Sequence, residues 1–108
     1  MANVLEKIIE DKKESLKEIK KINSLESIEK KIKSLKNFIN FKDVIANNKR
    51  ASLITEIKKA SPSAGELVKD FNHLNIAKMY LDNGATCLSV LTEEKHFLGK
   101  LDYIRDIK

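Results

Sequence analysis

The sequence predicts an α/β fold in which two parallel strands are joined by a helix and covered by further helices. Two short runs, "SLITEI" at residues 52–57 and "TCLSVLT" at residues 86–92, are rich in apolar and β-branched residues, as strands buried on both faces are. Between them, "HLNIAKMYLDNGA" at residues 73–85 has apolar residues at helical spacing. A strand, a helix and a second strand in this order indicate a parallel pair with a right-handed crossover.

The crossover helix has recognisable ends. Asn72 is its expected N-cap and Gly84 its expected stop. One helical face carries Leu74, Ala77 and Leu81. After the second strand, "GKLDYIRDIK" at residues 99–108 predicts the start of another helix.

The first fifty residues predict helices. Residues 3–21 place apolar side chains on one helical face, with Asn3 as N-cap and Glu6 three residues later. A second amphipathic segment is expected to begin after Ser24. A short third helix in "FKDVIANN", at residues 41–48, is expected to end at its two asparagines. Four apolar residues in or just before this helix are expected to face inward: Phe38, Phe41, Val44 and Ile45. We therefore expect a helical extension over residues 1–50 and a βαβ unit with the start of a further helix over residues 51–108.

Composition restricts the class of protein. The chain has 108 residues, of which 42% are apolar and 34% charged, which is typical of a small folded domain rather than a disordered chain. No run approaches the roughly 18 apolar residues of a membrane span, and the N-terminus lacks the apolar centre of a secretory signal. We therefore expect a cytoplasmic protein without a membrane partner. The lone Cys87 is interpreted as a small buried side chain, and the two histidines predict no metal site.

The formal net charge of +5 raises the question of nucleic-acid binding. Most lysines lie in the first fifty residues and alternate with glutamates, as in "EKIIEDKKESLKEIKK", which is typical of a solvated helix face. Few aromatic residues and no arginine cluster accompany them. We expect no nucleic-acid partner, and a basic helical module that binds nucleic acid is the weakest of the alternatives.

The segment "EIKKASPSAG", residues 56–65, contains most of the candidate reactive and anion-binding groups. Reactive groups gather at the carboxyl ends of parallel strands, and strand alternation gives Glu56 and Lys58 the same facing. A carboxylate beside an ammonium can move protons and bind an anion. The serines and backbone N–H groups of "SPSAG" could cradle phosphate or carboxylate oxygens. The same residues are also compatible with an exposed polar loop that holds a structural salt bridge.

Three motifs in order resemble the opening of the indole-3-glycerol phosphate synthase family. They are "EIKKASPSAG", which fits a Glu-x-Lys-x-x-Ser-Pro-Ser-x-Gly pattern, a Gly-Ala step into "SVLTE", and a Phe-x-Gly loop in "HFLG". The helical start "LEKIIEDK" is similar to the extension that precedes the barrel in this family. The resemblance thus covers the whole chain.

The resemblance implies the fold and the reaction. It implies the N-terminal portion of a (β/α)₈ TIM barrel, here the helical extension and the first two strands. The implied enzyme is a carbon-carbon lyase of tryptophan biosynthesis. It closes the ring of 1-(2-carboxyphenylamino)-1-deoxyribulose 5-phosphate, with loss of carbon dioxide and water, to give indole-3-glycerol phosphate. The implied partner is therefore a small anionic phosphorylated substrate, with neither a cofactor nor a metal.

The resemblance also implies site residues. Glu56 and Lys58 match the catalytic pair of the first strand, and Lys58 would also bind the substrate's anionic groups. Ser61 matches a serine that lines the site, and Phe97 matches an aromatic residue that packs near the substrate's ring. The neighbouring Thr92 and Glu93 are interpreted as structural, whereas Lys59 is expected to face away from the pocket.

This chain is much shorter than a complete barrel, which takes about 250 residues. The family's general-acid lysine, its second glutamate and its phosphate-binding loops would all lie beyond Lys108. We therefore expect the chain alone to be inactive, as a truncated product or as one part of a split barrel. The alternative is a non-catalytic module whose open sheet edge recruits a complementary barrel half or a second copy.

Overall fold

The computed structural model describes residues 3–108, and the chain divides after Ile39 into two compact units. The first unit holds helices α1 (Val4–Ile22) and α2 (Leu25–Ser34). A capping box starts α1, because the Asn3 side chain accepts the Glu6 N–H at 2.8 Å while Glu6 accepts the Asn3 N–H at 3.3 Å. Ser24 caps α2 by accepting the Ser27 N–H at 3.1 Å. Both predicted helix starts are confirmed.

The charged side chains of α1 and α2 pair along each helix. Ion pairs join Lys17 to Glu14 at 2.9 Å and Lys21 to Glu18 at 2.9 Å in α1, and no residue of either helix is buried. Helix-surface pairs at this spacing contribute about 0.2–0.5 kcal/mol each. The lysines and glutamates therefore form the solvated faces that their alternation predicted.

The second unit contains the α/β part of the chain. Its elements follow in the order α3 (Phe41–Ala46), β1 (Ile54–Ile57), β2 (Ala60–Ser61), β3 (Gly65–Glu66), α4 (His73–Asp82), β4 (Cys87–Val90) and α5 (Asp102–Ile107). Strands β1 and β4 pair in parallel, with Ile54 opposite Cys87 and Glu56 opposite Ser89. The predicted parallel pair, its connecting helix and the final helix are confirmed. The antiparallel hairpin of β2 and β3 was not predicted, because each of its strands has only two residues inside a polar loop.

The core of the second unit lies between the parallel strands and the helices on one side. Helix α4 packs against β1, and α5 packs against α4. The buried side chains are Ile57, Ala60, Ala77 and Tyr103. On the face of β1 opposite Ile57, Ile54 stays 54% exposed. One face of this strand pair is therefore covered by α4, while the other carries Glu56.

Two sequence-based expectations about burial are wrong. Phe38, Phe41 and Val44 were expected to face inward but are 69%, 58% and 38% exposed; Ile45 alone of this set is half-buried. Helical spacing shows which side chains share a face, but not whether another element covers that face. Cys87, expected to be buried, is a half-buried free thiol at the start of β4.

Candidate active site

Glu56 and Lys58 meet at the carboxyl end of β1. Strand alternation turns Ile57 toward the helix-covered face and the two charged residues toward the other face. The Lys58 Nζ lies 2.9 Å from Glu56 Oε1, and the side chains are 32% and 45% exposed respectively. The structure thus brings together the two residues that the sequence predicted to share a pocket.

The second carboxylate oxygen of Glu56 has its own donor. Ser89 Oγ donates to Glu56 Oε2 at 3.0 Å, because the parallel register sets Ser89 opposite Glu56. Sequence reasoning missed Ser89, since "TCLSVLT" was interpreted as a near-continuous apolar strand. The available signal was its hydroxyl, which is the polar group in the middle of that strand.

These contacts set the charge state of Glu56. The hydrogen bond from Lys58 has the largest effect and lowers the pKa of the Glu56 carboxyl. Desolvation opposes it by a smaller amount, and the Ser89 hydroxyl and the Lys58 charge then lower the pKa further. Glu56 is therefore an ionised carboxylate at neutral pH. Because the pair is partly exposed, its contribution to stability is small.

The backbone of Glu56 is held from the opposite face. The Tyr80 hydroxyl of α4 donates to the Glu56 carbonyl at 2.8 Å. Just beyond it, the Leu91 N–H donates to the Ile57 carbonyl at 3.1 Å and extends the pairing of β1 with β4. The end of β1 is thus fastened to both α4 and β4, so the position of Glu56 is set by rigid elements.

Ser61 lies in the hairpin that follows Lys58. Its hydroxyl accepts the Ala64 N–H at 3.2 Å and lies 3.5 Å from Ser63 Oγ. The turn of the hairpin leads into Gly65, the first residue of β3, whose φ of +67° belongs to the left-handed region that favours glycine. The predicted loop is therefore an ordered turn, and the Ala64 N–H that could have met an anion already donates to Ser61.

Phe97 lies in a loop that is organised around Glu93. The Glu93 carboxylate accepts the backbone N–H groups of Lys95, His96 and Phe97 at 3.1, 2.7 and 3.1 Å. The Glu93 carbonyl accepts the Gly99 N–H at 2.8 Å. These bonds close the loop on itself and agree with the interpretation of Glu93 as structural. Phe97 is half-buried within this loop.

Close backbone packing requires a glycine at Gly99, the last residue of the Phe-x-Gly motif. A Cβ on this residue would lie 2.1 Å from the Leu91 carbonyl oxygen and 2.9 Å from Thr92 Cα, both of which are backbone atoms. Only glycine allows the loop to return this closely against the end of β4. The loop that carries Phe97 is therefore anchored at the carboxyl end of β4, the strand that pairs with β1.

A parallel strand pair with a helical connection, an ion pair at the end of one strand and an anchored loop at the end of the other is typical of α/β enzymes with their sites at strand carboxyl ends. The family model for indole-3-glycerol phosphate synthase matches residues 5–108. The chain belongs to this family. The family fold is a TIM barrel, and within residues 3–108 the strands form no closed barrel.

Curated relatives carry the same family name. An indole-3-glycerol phosphate synthase from Desulforamulus reducens is 45% identical over 105 residues, which are 97% of this chain and 40% of the relative. Those from Alkaliphilus metalliredigens and Chlorobium phaeobacteroides are 43% and 37% identical, over 97% and 96% of this chain and 40% and 41% of each relative. The chain therefore spans about 40% of the length of the curated relatives it matches.

Across residues 3–108, none of the helices combines the length and the apolar character needed to span a bilayer.

Proposed function

We propose that this chain carries the first part of the active site of an indole-3-glycerol phosphate synthase. The reaction closes the ring of 1-(2-carboxyphenylamino)-1-deoxyribulose 5-phosphate, a small anionic phosphorylated substrate, with loss of carbon dioxide and water. The observation that carries the proposal is the Glu56–Lys58 pair, which lies at a strand end in a member of this family. The enzyme class is a carbon-carbon lyase.

The two charged residues have complementary roles in this proposal. Lys58 is the cation that neutralises the anionic groups of the substrate and polarises the reacting centre. Glu56 is the fixed carboxylate that positions Lys58 and assists proton transfer. The lowered pKa of Glu56 supports these roles, because it keeps the carboxylate charged beside the ammonium at neutral pH. Neither role needs a cofactor or a metal.

Two further residues contact the substrate in this proposal. Phe97 packs its flat apolar ring near the aminobenzoate ring of the substrate. Its loop is held at the end of β4 by Glu93 and Gly99, which supports a fixed position for the aromatic side chain. Ser61 lines the site from the hairpin after β1.

The whole reaction needs more than this chain. Because the chain spans about 40% of its curated relatives, we infer that it has no appreciable activity alone and that further strands supply the remaining groups. We retain the division into a helical extension, residues 1–50, and a barrel part, residues 51–108. We also place the reaction in the cytoplasm, since a phosphorylated substrate carries charges that do not cross a membrane unaided.

A second candidate function is a non-catalytic interaction module. Its support is Ile54, which is 54% exposed on the face of β1 that α4 does not cover, together with the free edges of the sheet that β1 and β4 form within residues 3–108. A complementary barrel half or a second copy of the chain would cover this edge. The mass of the chain in solution tests self-association, and a monomer at high concentration would contradict it.

The catalytic proposal is tested in a completed barrel. Residues 1–108 are joined to the remaining length of the Desulforamulus reducens relative, and turnover is measured for the hybrid and for Lys58→Ala. Loss of one charge-stabilising group predicts a fall of about a hundredfold to a thousandfold. Lys59→Ala is the matched control, because Lys59 is the adjacent cation and should change turnover little. Near-normal turnover of Lys58→Ala would refute the assignment.

A further inference from the structure

We propose that Ser89 is a positioning residue of this site, whose hydroxyl fixes the Glu56 carboxylate so that it stays directed at Lys58. This inference rests on the proposed function for its catalytic consequence. The effect of Ser89 on the geometry of the Glu56 carboxylate can be tested without measuring turnover. Ser89 itself touches neither Lys58 nor the substrate in this account and acts through Glu56.

The two carboxylate oxygens of Glu56 have different partners. Glu56 Oε1 lies 2.9 Å from the Lys58 ammonium, and Glu56 Oε2 accepts the Ser89 hydroxyl at 3.0 Å. One oxygen therefore faces the catalytic lysine and the other faces the neighbouring strand. Two donors on different oxygens define the plane of the carboxylate, which one donor cannot do.

The torsion that Ser89 restrains is a soft one. The last side-chain torsion of a glutamate joins sp³ and sp² carbons and has a broad, roughly two-fold profile, so the carboxylate turns readily. Lys58 is a poor restraint, because its long side chain has many rotamers and is one third exposed. Ser89 has a short side chain on a strand whose register sets it opposite Glu56. The neighbouring strand, rather than the lysine, therefore holds the carboxylate in place.

Ser89 also affects the charge of Glu56. A hydrogen bond donated to a carboxylate favours its ionised form, and the Ser89 bond is one of the contacts that lower the Glu56 pKa. Removal of the hydroxyl should free the carboxylate to rotate and raise the Glu56 pKa. The Lys58 contact would remain, so the rise should be partial.

The structural test is an NMR titration of the Glu56 carboxyl carbon in the 108-residue chain. Ser89→Ala should raise the titration midpoint of Glu56, whereas Ser89→Thr keeps a hydroxyl, suits a strand and should leave the midpoint near that of the wild type. Ser34→Ala, on α2 in the first unit, is the control and should change nothing. If Ser89→Ala fails to fold, Ser89→Cys takes its place in the titration. Its side chain is similar in size to serine, but its thiol is a weak hydrogen-bond donor.

An unchanged midpoint in a folded Ser89→Ala or Ser89→Cys chain would overturn the proposal. So would a rise of equal size in Ser89→Thr, because that result would indicate a packing effect rather than loss of the hydroxyl.

The catalytic test uses the hybrid barrel. Misplaced catalytic groups cost up to about a hundredfold in rate, so Ser89→Ala should lower kcat about tenfold to a hundredfold with little change in KM. Ser89→Thr should restore most of the loss. Equal changes in kcat for both variants would contradict a positioning role.

The two proposals fail in different ways. Near-normal turnover of Lys58→Ala would refute the catalytic role of the Glu56–Lys58 pair, regardless of the results for the Ser89 variants. An unchanged titration midpoint of Glu56 in the Ser89→Ala or Ser89→Cys chain would refute the positioning role of Ser89, even if Lys58 proves essential for turnover.

Discussion

Replacement of Gly99 by alanine tests whether the loop that carries Phe97 is anchored on the end of β4. The new Cβ would lie 2.1 Å from the Leu91 carbonyl oxygen and 2.7 Å from its carbon. Non-bonded contacts are most favourable near 3.5 Å, so the loop would have to move by more than about 1 Å. Since the obstructing atoms belong to the backbone, no side chain can turn away to relieve the clash.

The expected cost follows from that clash. Overpacking that forces backbone shifts costs about 1–3 kcal/mol, and occasionally more, and the short distance places Gly99→Ala at the upper end. Gly84→Ala is the matched control. Gly84 has a φ of +90° with no atom within 4 Å of its would-be Cβ, so only the left-handed backbone is penalised, at about 1–2 kcal/mol.

Two measurements separate these variants. Urea unfolding of the chain gives the loss of stability for each. Hydrogen exchange of the His96 and Phe97 amides, which donate to Glu93, reports on the loop itself. Gly99→Ala should lose more stability and also lose protection at these amides, whereas Gly84→Ala should retain that protection. A Gly99→Ala chain with wild-type stability and protected loop amides would refute the close approach.

Two further predictions concern the carboxylates at the strand ends. Glu93→Ala removes the acceptor of three backbone N–H groups and should cost about 1–3 kcal/mol in unfolding free energy; the exposed Glu94→Ala is the control, and equal losses would contradict the role of Glu93. The folded pKa of Glu56 is lowered by Lys58 and Ser89, so its contribution to stability is present above the unfolded pKa and lost as pH falls through the folded pKa. Unfolding curves should therefore show a smaller loss of stability on acidification for Glu56→Gln than for the wild-type chain. Equal losses in the two chains would contradict this role of Glu56.

The elements that could be predicted from the sequence depend on local signals. The capping box of Asn3 and Glu6 lies within four residues, and the stop at Gly84 follows from the residue type, since glycine readily adopts the positive φ found there. The shared facing of Glu56 and Lys58 follows from strand alternation alone. Such signals require no knowledge of which distant segments meet.

The features that could not be predicted depend on distant contacts. The bond from Ser89 to Glu56 joins residues 33 positions apart and exists only in the observed register of β1 and β4. The exposure of Phe41 depends on what covers its helix face, which periodicity does not reveal. The bonds to Glu93 follow from the fold of one loop, for which the sequence offers no repeating pattern.

We propose that Glu56 and Lys58 act as one catalytic unit, and turnover of the hybrid barrel tests this most directly. Kinetics are measured for Glu56→Ala, Lys58→Ala and the double variant. Residues that act together show strongly non-additive losses, so the double variant should lose about as much turnover as the worse single variant. Losses that multiply, or single variants with near-normal turnover, would contradict the account.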